Sequence, residues 1–216
     1  MASTNPGPAG NCRSRPIIGN GMSKKITVLI DGGHLRSYLK KSQKPVDADY
    51  IEKVGLSCSL ATEEIFRILY YDCALFNGQT KLPISRIVQT FDQTTPYLHD
   101  LARKDLFAVR RGVLKFRGYV IRKGHRPSNP SVDSDFVPKF EQKGVDMRIG
   151  LDMATIAANR SVELIALMTN DTDCVPAMKL VRRAGIQVAL VCIPGCKPTP
   201  ELLAHSDFKR SIPWPS

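Results

Sequence analysis

No apolar run in this 216-residue chain approaches the roughly 18 residues of a membrane-spanning helix, so no membrane partner is expected. Residues 1–22, MASTNPGPAGNCRSRPIIGNGM, lack the continuous apolar segment of a secretion signal and are expected to form a flexible leader. Six cysteines, Cys12, Cys58, Cys73, Cys174, Cys192 and Cys196, are scattered through a chain too large to need disulfide staples. They point to a reducing, cytoplasmic setting. Cys192-x3-Cys196 looks like half a metal site, but no second pair or suitably spaced histidine completes a zinc set. The G-x-G-x-x-G turn is missing as well: DGGHLRS (31–37) cannot bring a helix against a dinucleotide pyrophosphate in that way. No internal repeat or low-complexity tract interrupts the chain.

What is present is an ordinary globular composition, 43% hydrophobic and 24% charged. The formal charge of +11 favours a polyanionic partner. Acid is absent from one stretch in particular. RRGVLKFRGYVIRKGHR carries Arg110, Arg111, Lys115, Arg117, Arg122, Lys123 and Arg126, with Phe116 and Tyr119 interleaved. It reads either as a solvated basic hairpin or as a surface that tracks a phosphate backbone. His125 falls in the same stretch and stays a weak contact candidate.

Strand and helix alternate along the chain. KKITVLID, EEIFRILYYD, FAVRRG, VELIALMT and IQVALVCI are short, β-branched-rich runs that read as strands one to five. LRSYLKK, VDMRIGLDMATIAAN and DCVPAMKLVRRAG read as helices between them. A long helix disturbed by Pro96 is expected in SRIVQTFDQTTPYLHDLARKD, a loop in HRPSNPSVDSDFVP, and a last short helix in ELLAHSDFKR. This pattern predicts an α/β fold whose largely parallel sheet is covered on both faces. One domain over residues 23–216 accounts for it.

In such a sheet, ligands bind beyond the carboxyl ends of the strands, at a reversal of strand order. Asp31, Asp72 and the pair Asp171 and Asp173 stand at three strand ends. Asp146 and Asp152 precede strand four. At about 100° per residue these two differ by about 240°, so they share no helix face unless Asp146 lies in the first turn or the helix bends near Gly150. Arg148 also offers Asp152 an i,i+4 ion pair. Gathered carboxylates repel one another, and magnesium or manganese removes that repulsion. Such ions serve phosphodiester hydrolysis. Each acid taken singly has a structural alternative; Asp31 and Asp173, for instance, can cap helices. Thr169 and Asn170 are secondary candidates for holding water or a phosphate oxygen, and His34 for touching substrate. His99 and His205 fall in helical segments and receive no catalytic role.

ITVLIDGGHL, KGVDMRIGLDMATIA and TNDTDCVPAMKLVRRAG resemble the three acidic blocks of NYN domains, the bacterial LabA-like branch of the PIN-like ribonuclease superfamily. The similarity runs over most of residues 26 to 192. The resemblance implies a Rossmann-like three-layer sandwich around a mostly parallel five-stranded sheet of order 3-2-1-4-5, and a magnesium- or manganese-dependent cleft that cuts RNA. It assigns Asp31, Asp146, Asp152, Asp171 and Asp173 as catalytic, metal-binding acids. His34 departs from the amide side chain that many relatives carry beside the first aspartate. Single-stranded RNA is the expected substrate, because its backbone can bend into a narrow cleft.

Two other readings are weighed. A haloacid-dehalogenase-like phosphatase needs a second acid two residues after its nucleophilic aspartate, and Gly33 stands there instead. A catalytically silent PIN-like module, binding RNA or serving assembly, is the alternative that stays open.

Overall fold

The computed structural model describes residues 23–92, 94–122, 124 and 132–216. The expected leader 1–22, Lys123, His125 and Arg126 lie outside the described residues.

The chain opens with β1 (Lys24–Asp31), α1 (Gly32–Lys41), α2 (Ala48–Leu56) and β2 (Glu63–Cys73). A hairpin of β3 (Gly78–Lys81) and β4 (Val88–Phe91) follows, then α3 (Pro96–Leu101), β5 (Phe107–Ile121) and β6 (Phe136–Lys143). The last part is α4 (Val145–Asn159), β7 (Leu164–Met168), α5 (Val175–Arg183), β8 (Gln187–Cys192), α6 (Pro200–Ala204) and β9 (Phe208–Ser211). The main sheet has the order β6-β5-β2-β1-β7-β8-β9. Its neighbours run parallel except for the antiparallel pair β5–β6. This is an α/β fold with a mostly parallel seven-stranded sheet, which corrects the five-stranded expectation in count and in order. The five segments read as strands lie side by side as β5-β2-β1-β7-β8, and β6 and β9 extend the two edges.

β1 is central, and its residues Ile26, Val28, Leu29 and Ile30 are fully buried from both sides. Alternate residues serve opposite layers. Ile26, Val28 and Ile30 join the core beneath α1, α2 and α3, with Leu35, Leu39, Ile51, Val54, Leu98 and Leu101. Leu29 joins the core beneath α4 and α5, with Ile149, Met153, Met178 and Val181. Each such aliphatic side chain contributes ~1.5–3 kcal/mol when fully removed from water, so two-sided burial fixes this strand's place firmly. At Gly32 a Cβ would come within 2.7 Å of the Tyr70 ring and the Tyr71 carbonyl, so only glycine lets α1 start this close to β2.

Three expectations are corrected here. SRIVQTF does not begin a helix: Val88–Phe91 pairs antiparallel with Gly78–Lys81, and Pro96 is the first residue of α3 rather than a kink. The hairpin turn is tied by the Asp133 carboxylate, which accepts from the Ile84 N–H at 2.9 Å. The FVP of the expected loop opens β6, where Pro138 sits on the sheet's outermost strand, a place that tolerates proline. Finally, FKR at 208–210 belongs to β9 and not to a helix. There it covers the edge of β8, and Arg210 forks onto both oxygens of Glu63 at 2.9 and 2.7 Å.

No described helix is long and apolar enough to cross a membrane.

Candidate functional site

Strand order reverses between β1 and β7, and the ends of these two strands carry the acids. Asp31, the last residue of β1, caps α1: its Oδ1 accepts from the His34 N–H at 3.1 Å. Its other oxygen, Oδ2, accepts from the Thr169 hydroxyl at 3.1 Å. The same hydroxyl oxygen accepts from the Asp171 N–H at 3.1 Å. Thr169 is 1% exposed, so this bridge is anchored below the surface at the strand ends. Asp171 in turn accepts from the Asp173 N–H at 2.9 Å, which caps the short turn leading into α5. The capping alternative is therefore realised at Asp31, and its second oxygen is linked through Thr169 to Asp171. Each carboxylate oxygen has two lone pairs, so a cap leaves acceptor capacity.

Asp146 occupies the first turn of α4, in the same helix as Asp152, so the separation of about 240° holds and the two acids face different surroundings. Its carboxyl is held above the ordinary aspartate range by burial, then by the charges of Asp171, Asp31 and Asp173. The Cys174 thiol reports the same field. It is pushed up to about 12 by burial and then by Asp171, Asp31, Asp146 and Asp173. Two different groups thus feel one acidic patch. Among the described residues, however, no three or more His, Cys, Asp or Glu side chains are gathered closely enough to hold a metal ion.

Asp152 goes elsewhere. Its Oδ2 accepts from the Tyr71 hydroxyl at 2.9 Å and from Arg110 Nε at 3.0 Å. The expected Arg148 partner is replaced by Arg110, because β5 runs beside α4. Asp72 is also withdrawn. It is fully buried, ion-paired to Arg36 at 2.6 Å, and accepts from Tyr97 at 2.8 Å and the Cys73 N–H at 2.7 Å. A strand-end position alone did not distinguish this satisfied buried carboxylate from Asp31.

Residues 110–121 of the basic stretch lie on one long strand, β5, which pairs antiparallel with β6. Phe107–Gly112 pairs with β2 inside the sheet, and Val113–Ile121 continues past it against β6. This projecting ribbon packs on the β3–β4 hairpin through rings of Phe76, Phe91, Phe116 and Phe140, with centroids 5.5–6.0 Å apart. Phe116 and Tyr119 therefore build a small aromatic core, and the Tyr119 hydroxyl is bonded to Gln89 at 2.9 Å. They are not free platforms for bases. Alternation puts Arg111, Lys115 and Arg117 on one face of the strand and Arg110 on the other. Arg117 is paired with Glu141 of β6 at 2.5 Å, and Arg110 with Asp152. Arg122 is exposed and reaches the Ser134 carbonyl at 3.4 Å. Arg111 and Lys115 are exposed and make no ion pair among the described residues. The neutralising Glu141 was invisible in the sequence because FEQK was not read as the partner strand.

Sequence reasoning also missed Gln142, near the end of β6. A Cβ on Gly33 would lie 3.3 Å from Asp31 Oδ1 and 3.5 Å from Gln142 Oε1, so this carboxamide stands beside the first aspartate. Its only sequence signal was proximity to the KGVD block. The His34 ring packs against Tyr38, with Nε2 3.8 Å from Cys196 Sγ, and still feels the Asp31 charge. Asn170 accepts from the Thr199 N–H at 3.3 Å and anchors the loop after β8. Both thus hold structure around the mouth.

The sequence matches no protein-family model and no curated protein. Among solved structures, a protein of unknown function from Vibrio parahaemolyticus is similar in fold, with a TM-score of 0.53 and 17% sequence identity. The match covers 90% of this chain and 96% of that one, so the likeness concerns the whole α/β architecture.

Proposed function

We propose that the chain is a divalent-metal-dependent ribonuclease of the NYN, PIN-like kind, acting on single-stranded RNA. The observation that carries this reading is the Asp31–Thr169–Asp171 bridge at the reversal of strand order, with Asp146 inside the same acidic field. The donor chemistry suits magnesium or manganese: hard carboxylate oxygens, with Asp146 raised by burial and then by the charges of Asp171, Asp31 and Asp173. Asp31, Asp146 and Asp171 would hold the ion, with Asp173 beside them. When bound, it supplies an activated water and neutralises charge developing on the phosphate.

The chain's own residues do the rest. Thr169 fixes the Asp31 carboxylate, and the Asp173 N–H fixes Asp171. Gln142 offers an amide at the mouth. Arg111, Lys115 and Arg122 supply phosphate contacts on the ribbon, while Arg110 and Arg117 are already spent on carboxylates. Asp152 acts as a counter-charge that orients Arg110, not as a ligand.

A second reading is a silent RNA-binding module. It is favoured by the scatter of the acids, which are grouped but not gathered at ligating distance. Calorimetric titration with manganese and magnesium, run with cleavage of end-labelled single-stranded RNA, separates the two. Metal binding with chelator-sensitive cleavage supports the nuclease. RNA binding without either supports the module.

A further inference from the structure

The motif still without a role is Cys192-x3-Cys196. β8 ends at Cys192, and Ile193-Pro194-Gly195-Cys196 forms a tight turn closed by the Cys196 N–H donating to the Ile193 carbonyl at 3.0 Å. Gly195 takes φ +80°, the left-handed conformation that follows proline in such a turn. The turn brings Cys196 back toward Cys192. Both cysteines, with Pro194, Gly195 and Lys209, border one open cavity of about 380 Å³. Cys192 is 4% exposed and Cys196 is half-buried. Cys196 Sγ lies 3.8 Å from His34 Nε2, and His34 is the residue whose N–H is capped by Asp31.

We propose that Cys192 and Cys196 form a reversible dithiol–disulfide site, oxidised by hydrogen peroxide, separate from the acids but joined to them through His34. In the first step the Cys196 sulfur attacks one peroxide oxygen, an S–O bond forms and the O–O bond breaks. The displaced oxygen leaves as water with the thiol proton. In the second, the Cys192 sulfur attacks the sulfenic sulfur, the S–S bond forms and the S–O bond breaks, releasing a second water. Two electrons pass from the sulfurs to the peroxide. Cys196 goes first because it is the accessible member. Burial raises its thiol, but the Tyr38 hydroxyl, Cys192 and Lys209 all pull against that rise. The ring closed by such a disulfide is very short, so chain entropy stabilises it little and thiol reductants reopen it easily. Its formation draws Cys196 toward Cys192 and away from His34.

The test is thiol mapping of the reduced, full-length wild-type protein after hydrogen peroxide, by alkylation, digestion and mass spectrometry. Cys192 and Cys196 should lose alkylation together, yield one cross-linked peptide, and recover it with dithiothreitol. Cys58, Cys73 and Cys174, all buried, should stay alkylatable only after unfolding and serve as internal controls. C192S, and independently C192A, should stop at a sulfenic acid on Cys196 that dimedone traps. Oxidation of Cys196 in the wild type with Cys192 still fully alkylatable would overturn the proposal, and so would two thiols that both survive peroxide. Neither metal nor RNA enters this readout, so it can fail while the nuclease reading stands, and the reverse.

Discussion

Thr169 donates its hydroxyl to Asp31 Oδ2 at 3.1 Å from a position 1% exposed, so the end of β7 holds the carboxylate at the end of β1. The same oxygen receives the Asp171 N–H. Thr169→Val keeps the shape and removes both bonds, leaving the half-buried Asp171 N–H and Asp31 Oδ2 without this partner. It should destabilise the protein by ~1–3 kcal/mol in urea denaturation. On the proposed function it should also weaken manganese binding, and Thr169→Ser should restore both. A valine variant as stable and as metal-competent as wild type would show that the bridge positions nothing.

Glu63 supplies a pH test remote from the mouth. Burial alone would raise its carboxyl, but Arg210 and the Leu60 N–H outweigh burial and hold it below the ordinary value of 4.5. A depressed carboxyl contributes stability that is present above its unfolded value and is lost as pH falls through the folded one. Glu63→Gln should therefore cost ~2–4 kcal/mol at pH 7, since it leaves the largely buried Arg210 without its counter-charge. The difference between variant and wild type should shrink as the pH is taken below 4.5. A gap that stays constant down to acid unfolding would contradict the assignment.

Asp146 has the opposite sign. Its carboxyl is raised, so the folded state holds the proton more tightly than the unfolded chain, and ionisation above that range destabilises the fold. Asp146→Asn should raise the melting temperature at pH 7 in chelator by about 1–3 °C, a small gain because solvent screens the site. Saturating manganese should erase or reverse that gain by stabilising the wild type alone. A variant less stable in chelator would mean that Asp146 does not feel the other acids.

Much of this arrangement was legible in the chain, for a physical reason. Residues such as Ile26, Val28, Leu29 and Ile30 are buried from two sides, and their composition carries that signal locally. The acids at 31, 146, 171 and 173 follow directly from such elements. What failed depended on long-range partners. Nothing in SRIVQTF announces a hairpin until Gly78–Lys81 is beside it. FEQK becomes a strand only through the cross-strand pairing of Phe140 with Phe116. Asp72 and Asp152 looked equivalent to Asp31 and Asp146 because Arg36, Tyr97, Tyr71 and Arg110, which claim them, lie far away in sequence.

The ribbon gives a graded prediction for RNA. Replacing Arg111, Lys115 and Arg122 together with alanine should weaken binding of single-stranded RNA and reduce the slope of log K against log salt by up to ~2, at about 0.7 per phosphate contact. Arg117→Ala should change the slope less, since Glu141 already neutralises that side chain. Filter-binding across a salt series measures both. An unchanged slope in the triple variant would remove the ribbon from the substrate path.

The central claim rests on Asp31, and the most direct measurement is a matched cleavage assay of wild type and Asp31→Asn on single-stranded RNA, with manganese, magnesium and chelator arms. Asparagine keeps the size of the side chain and can still cap α1, so circular dichroism should show the fold intact. The account predicts cleavage by the wild type that chelator stops, and a loss of at least ~100-fold in the variant. Equal cleavage by both proteins would contradict it, as would wild-type cleavage that persists in chelator.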